Sequence, residues 1–448
     1  MFHNTKCAIS LIFHALWVSC AATVFSFSAA ARADFVRLDT DTPLRAVYLA
    51  ADPESARLAL YAVFIAGEAD FTGPEGQSHY LEHIMYGHAD AAAGQSLQAR
   101  YGNAWVNGII TAYLNHGEPS DFATMLTFAR RLLDPPALDT RFMLDERAIV
   151  AREYDLTVAE NPDFKVFGRM RRMLMLDHPL SRDVIGTPES IASFTLDDAL
   201  AFHGRYYNPS NLVLLIGGDI DAATVVATVE AGFAGLTAGA ENQQPWRNQT
   251  VAGALDATID YSDRHVVSDN AKYAVLADWE GTGDPAQDRI VAEVAQELMR
   301  SALPGSVSKP LRMDAFIVSS YGIAIEQQVR GQIELWFSGS ADADISPEQV
   351  GRAVRSALSD IAISGIPAES IDRIRRRLVQ TAERRRDDPE FLIGHATASL
   401  TDGHMPESVA ATIARLQAVT ADDVNDLMRA LAHANRRVTA HLRKAKTQ

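Results

Sequence analysis

His79, Glu82 and His83 stand at a spacing with a definite chemical meaning, H-x-x-E-H. On a helix, residues four apart project from one face, which brings the two imidazoles to about 6 Å from each other. Two imidazoles so placed can grip one zinc ion. Glu82 falls on the adjoining part of that face, beside the metal rather than bound to it. There its carboxylate can take a proton from water whose pKa zinc has lowered to about 7. A catalytic zinc site takes three protein ligands and keeps one position for water and substrate, so a further ligand must come from elsewhere. Glu146 and Glu153, seven residues apart in Asp145-Glu146-Arg147-Ala148-Ile149-Val150-Ala151-Arg152-Glu153-Tyr154, share a helix face. One can bind the metal while the other holds the second ring nitrogen of a histidine. A surface helix carrying two His and a Glu needs no metal, but the glycine-rich entry and the paired glutamates favour one. His88 lies beyond the register of the pentad and reads as an ordinary polar residue.

These residues need a frame. Apolar stretches at Arg45 to Ala50 and Leu58 to Ala66 read as strands, with Gly67 and the turn residues from Asp70 to Gly76 leading into the pentad helix. Further helices are expected over Phe122 to Leu133, Thr140 to Ala159 and Leu196 to Tyr206, and a strand over Asn211 to Ile216. The alternation is mixed, which predicts an α+β fold. Thr195-Leu196-Asp197-Asp198 recurs 225 residues later as Thr420-Ala421-Asp422-Asp423, and the strand near Val213 has a counterpart near Val438 at the same offset. Ile191-Ala192 has a looser match in Ile413-Ala414. With 448 residues to divide, this suggests two similar halves that meet between about Gly235 and Asn248, where the chain is small and polar.

Composition limits the partners. A formal net charge of −16 argues against a nucleic-acid surface, which needs clustered cations, and suits a cationic or mixed peptide better. Lys6, the apolar run from about Ala8 to Ala30 and the closing Ala31-Arg32-Ala33 read as a secretory signal peptide over residues 1–33, with an uncleaved membrane anchor as the alternative. Cys7 and Cys20 both lie in this segment, so the mature chain would hold its metal with His and carboxylates alone.

With these motifs in place, the sequence resembles the pitrilysin and insulinase family of zinc peptidases. That family includes the mitochondrial processing peptidases and small bacterial relatives, and its signature is the inverted-zincin H-x-x-E-H. Gly76-Gln77-Ser78-His79-Tyr80-Leu81-Glu82-His83-Ile84-Met85 matches the pentad and its surroundings, and Glu146 through Glu153 resembles the second zinc segment. His178-Pro179 through Ile191, and Tyr206-Tyr207-Asn208-Pro209-Ser210-Asn211 to Gly217-Gly218-Asp219, are similar to the close of the family's first domain. The resemblance, which runs through nearly the whole mature chain, implies one zinc ion held by His79, His83 and Glu153, with Glu82 as general base and Glu146 supporting a ligand. The third ligand lies a few residues nearer the pentad than is usual in the family. Asn103-Ala104, similar to its substrate-contacting Asn-Ala, is displaced by the same amount. One shortened loop between Tyr86 and Arg100 accounts for both and favours Glu153 over Glu160. Val106 departs from the pattern, standing where a threonine is expected, while Thr111-Ala112-Tyr113 keeps the following Thr-x-Tyr. Arg312 and Tyr321 are the nearest candidates for the family's substrate-binding Arg and Tyr, at looser spacing.

The resemblance further implies two similar mixed-sheet domains, 34–240 with the zinc motif and 241–448 without it, facing each other around a substrate chamber. The function expected is that of an exported zinc metalloendopeptidase, periplasmic or secreted, acting on peptides or unfolded segments, with monomer, homodimer and heterodimer with a related subunit all open. The alternatives are a partner-dependent or non-catalytic subunit, and a peptide-binding protein with a structural metal.

Overall fold

A computed structural model describes residues 35–92, 102–136, 140–341 and 344–445. The expected signal segment and most of the expected shortened loop lie outside these residues. Strands β1 (Val36–Leu38), β2 (Ala46–Ala51) and β3 (Leu58–Phe64) lead into helix α1 (Gln77–Ala92), then β4 (Asn103–Val106), β5 (Thr111–Gly117), α2 (Phe122–Arg131), α3 (Thr140–Tyr154), α4 (Pro162–Met175), α5 (Pro188–Ser193), α6 (Leu196–Tyr206), β6 (Leu212–Gly218) and α7 (Ala222–Gly232). After them come β7 (Leu255–Asp263), β8 (Asn270–Asp278), α8 (Pro285–Arg300), β9 (Val318–Glu326), β10 (Gln332–Ala341), α9 (Pro347–Ser364), α10 (Ala368–Arg384), α11 (Pro389–Thr401), α12 (Val409–Ala418), α13 (Ala421–Ala432) and β11 (Arg436–Lys444). The helix expected over 140–159 ends at Tyr154 and continues as a wider π turn over Asp155–Ala159.

The fold is α+β with two mixed sheets. One runs in the order β1-β2-β6-β3-β5-β4 and the other β7-β11-β8-β10-β9. Apart from the added β1, the two orders are the same. In each sheet the last strand inserts beside the first in parallel, β2 with β6 and β7 with β11, and the remaining pairs are antiparallel. The recurring Thr-x-Asp-Asp marks the helix before that inserted strand. Thr195 caps α6 by accepting from the Asp198 N–H, and Thr420 caps α13 by accepting from that of Asp423.

Each sheet is covered on both faces, so its central strands read as continuous apolar runs. In β6, Leu212, Leu214 and Ile216 join Leu81, Ile84 and Met85 of α1 and Phe128 of α2 in one core. Val213 and Leu215 face the other way, onto Leu392, Ile393 and Ala396 of α11, a helix from the far end of the chain. The exchange is reciprocal: Val166, Met170 and Leu174 of α4 pack on Ala274, Leu276, Trp336, Val438 and Leu442 of the second sheet. Burying each such side chain contributes about 1.5–3 kcal/mol.

The small polar stretch expected to join the halves is a bonded strap. The Asn242 amide donates to the Ile65 carbonyl at 2.9 Å, and Gln244 and Trp246 donate to Asp70 at 3.1 and 2.8 Å. Buried Arg247 reaches the carbonyls of Gln328 and Thr401. Among the described residues, the chamber expected between the halves is not seen within one chain. The face each sheet leaves free of its own helices is filled by the helix of the other half.

Shared cores require cooperative unfolding. Ile393→Ala, at a side chain 1% exposed between α11 and the first sheet, should cost about 2–5 kcal/mol. In calorimetry it should lower the melting of the whole chain as one transition, and a separate early transition of one half would contradict the exchange of helices.

Candidate metal centre

The loop before α1 is fixed by glycine contacts. Gly76 has φ +84° and Gly186 φ +85°. They pack so closely that a Cβ on Gly76 would lie 2.5 Å from the Gly186 nitrogen, and one on Gly186 would lie 2.6 Å from the Glu75 carbonyl oxygen. Only glycine meets both demands at each place. The Ser190 hydroxyl donates to the Glu75 carbonyl at 2.8 Å, and Arg172 grips the Glu75 carboxylate through two nitrogens at 2.8 and 2.6 Å. Beneath the helix start, buried Glu68 accepts from the N–H groups of Gly76 and Ser78, from the Ser78 hydroxyl and from two nitrogens of Arg182. Burial pushes the Glu68 carboxyl up, to about 7, against the pull of Arg182, Ser78 and Gly76. Five donor bonds with no acceptor facing it suit an ionised carboxylate, and that is the state the geometry favours.

From this fixed start, α1 turns Tyr80, Leu81, Ile84 and Met85 into the core and leaves His79 and His83 partly exposed. Their ring centroids lie 4.8 Å apart and nearly perpendicular, at 89°. Helix α3 lies alongside, tied by the Tyr80 hydroxyl donating to the Met143 carbonyl at 2.8 Å. With Met143 and Val150 buried, α3 turns Glu146 and Glu153 toward α1. One oxygen of Glu153, Oε2, lies 3.4 Å from Nε2 of His79 and 3.4 Å from Nε2 of His83. His83 Nδ1 donates to Glu146 Oε2 at 3.1 Å, which turns its other ring nitrogen toward Glu153. Glu82 Oε2 lies 3.8 Å from His79 Nε2, and the side chain is 8% exposed. His79, Glu82 and His83 each bring one donor atom within 4.8 Å of the others. Glu153 is nearer still to both imidazoles.

The electrostatics ask for a cation. Burial raises the Glu82 carboxyl to about 7, helped by the charges of Glu153 and Glu146 and opposed by His83. Burial, then His83, lowers His79 to about 3, with Glu153 opposing. Burial also lowers His83, but its bonds to Glu146 and Glu153 and the charges of Glu82 and Glu153 outweigh this and push it up to about 10. Burial raises Glu153, yet the two histidines hold it below its ordinary value. The carboxylates around His83 thus favour its protonated form in the metal-free protein. The donor set fits a divalent ion too: bonds of about 2.0–2.1 Å in tetrahedral array separate neighbouring ligand atoms by about 3.4 Å.

The other expected site residues are placed as follows. Asn103 is exposed at the start of β4, the edge strand beside α1, and its side-chain oxygen accepts from the Ala104 N–H at 2.9 Å. Arg312 and Tyr321 belong to the second half of the chain. Arg312 lies in a π turn over Lys309–Asp314. Tyr321, on β9, stacks on Phe337 and donates its hydroxyl to the Met299 carbonyl at 3.2 Å. The structure therefore brings His79, Glu82, His83, Glu146 and Glu153 together, while Tyr321 packs on another core and Arg312 is exposed. Sequence reasoning missed Glu68 and Arg182, because a pair 114 residues apart leaves no local pattern.

A family model described as "Peptidase M16 inactive domain" matches residues 193–378, a segment that begins after Glu153. An uncharacterized zinc protease of Rickettsia bellii is 27% identical over 177 residues, 37% of this chain and 42% of that protein. The uncharacterized zinc protease YmfH of Bacillus subtilis is 28% identical over 158 residues, 35% of this chain and 36% of that protein. The crystal structure of a putative M16-like peptidase from Alicyclobacillus acidocaldarius superposes with a TM-score of 0.78 at 20% identity, covering 92% of this chain and 98% of that one. In sequence and in fold the chain is similar to M16 peptidases. It spans less than half the length of these two curated relatives, and the likeness to the M16-like structure speaks for the fold alone. Among the described residues, no helix is long and apolar enough to cross a membrane.

Glu153→Ala removes the oxygen shared by both imidazoles and should abolish stoichiometric zinc uptake, measured by elemental analysis after dialysis. Glu146→Gln should weaken uptake about 10–100-fold without abolishing it. Equal zinc content in Glu153→Ala and wild type would exclude Glu153 as a ligand.

Proposed function

We propose that this chain is an exported zinc-dependent endopeptidase that hydrolyses peptides or unfolded protein segments. The observation that carries the reading is the single Glu153 oxygen 3.4 Å from both Nε2 atoms, with the Glu82 carboxylate beside them. His79, His83 and Glu153 hold the ion, and Glu146 orients His83. When bound, zinc supplies Lewis acidity and makes water acidic near neutral pH. Glu82, enclosed and held near pH 7 in the metal-free protein, takes the proton from attacking water and returns it to the leaving amine. The open edge of β4 pairs with an extended peptide, and Asn103 at its start helps to align it. Export rests on the N-terminal 33 residues of the sequence.

A second reading, dependence on a partner, is favoured by the position of Arg312 and Tyr321. If they bind substrate, as the family resemblance implies, they most naturally do so beside another chain's metal centre. The two repeats, 34–240 and 241–448, would then act as one block, with the chamber closed by a second copy or a related subunit.

Glu82→Gln should keep the fold and the zinc and lower peptide cleavage about 10²–10⁴-fold. The assay is mass spectrometry of an unstructured peptide mixture exposed to the mature chain, with chelator and with zinc restored. Undiminished cleavage by the variant would remove Glu82 from the chemistry. Zinc uptake by wild type without cleavage, reversed by adding a related chain, would favour the partner-dependent form.

A further inference from the structure

Helix α1 starts without a cap of its own. The residue before a helix ordinarily offers a Ser, Thr, Asp or Asn side chain to the first N–H groups. Here that residue is Gly76, whose φ of +84° and contact with Gly186 leave no room for a side chain. Glu68 reaches in from the preceding loop. Its Oε1 accepts from the Gly76 N–H at 3.1 Å, and its Oε2 accepts from the Ser78 N–H at 3.3 Å and from the Ser78 hydroxyl. Arg182, just after the turn Pro179–Ser181, donates to the same Oε1 through Nε at 3.0 Å and Nη2 at 2.7 Å, and to the Gly73 carbonyl at 2.8 Å. Glu68 is fully buried.

His79 is the third residue of this helix, next to the Ser78 that Glu68 holds. A helix N-terminus carries roughly half a positive charge, and a divalent ion held in the first turn adds two more. A carboxylate under that turn offsets both, while Arg182 opposes it, and in a buried setting charges so close are weakly screened.

We propose that Glu68 is a positioning residue for His79, and that the balance between Glu68 and Arg182 sets how tightly the centre holds a divalent cation. The inference rests on the metal reading above. Its signature is a difference in sign. Removing the carboxylate leaves Arg182 and the helix dipole facing the ion, whereas removing the guanidinium leaves the carboxylate uncompensated.

The test uses the mature chain with E68Q and R182Q. Zinc affinity is read by competition with a chromophoric chelator, ligand geometry by the visible spectrum of the cobalt(II) form, and stability by the Tm of the metal-free protein. E68Q should weaken zinc about tenfold and alter the cobalt spectrum. R182Q should lower the Tm, since it leaves a buried carboxylate short of partners, and yet tighten zinc severalfold. Weakening in both variants in step with lost Tm, or affinities equal to wild type in both, would overturn the proposal. If E68Q does not fold, R182Q decides alone: a tighter site supports the proposal, and a weaker or unchanged one overturns it. Wild-type protein that takes up neither zinc nor cobalt would overturn the metal reading itself.

Discussion

Three carboxylates and two imidazoles share one partly enclosed space, and that crowding is the constraint on which the rest of the site depends. Glu82, Glu146 and Glu153 surround His79 and His83, and burial penalises the charge of Glu82 and Glu153. An uncompensated buried charge costs several kcal/mol, so the group persists only with positive charge inside it. In the metal-free protein a proton on His83 provides it. A divalent ion would fit in its place, because one Glu153 oxygen lies equally near both imidazole nitrogens.

Such a cluster stays assembled only if its helices cannot drift apart. The frame is covalently local on one side and remote on the other. Gly76 and Gly186 lock the loop before α1 against the loop before α5, and Arg172, from α4, grips Glu75 in the same turn. Because α4 is also the helix packed on the second sheet, the start of α1, which carries His79 and His83, is tied to the far half of the chain. The exchange of α4 and α11 thus couples the site's geometry to the packing of the whole molecule, which neither half could provide by itself.

Much of this was legible in the sequence, and the physical reason is periodicity. Helical spacing sets His79 against His83 and Glu146 in line with Glu153, and alternation with turn residues sets β2, β3 and β6, whose observed limits differ from expectation by a residue or two. The repeated Thr-x-Asp-Asp was readable because a helix cap is a local device. What escaped is non-local. No pattern within a window joins Glu68 to Arg182, or α11 to the first sheet. A polar stretch such as Asn242 to Arg247 looks like a linker until its partners, Asp70 and Ile65 among them, are known. The chamber expected between the two halves came from the family resemblance, and that resemblance did not indicate that each half lends a helix to the other.

The second half presents the same helix with the opposite electrostatic solution. Helix α8 follows β8 and packs on β9 as α1 follows β3 and packs on β4. Their burial patterns coincide when Arg289 is set against His79, Ala292 against Glu82 and Glu293 against His83. In place of two imidazoles there is an ion pair, Arg289 Nη1 to Glu293 Oε2 at 3.6 Å, so the acid is answered from within the chain. The helix also begins differently: Asp284 caps it directly by accepting from the Ala286 N–H. Where the chain supplies its own arginine, an ordinary cap serves and no external cation is called for. Where α1 carries histidines instead, the first turn is held by buried Glu68, and the side chains of His79, His83 and Glu153 converge on one another.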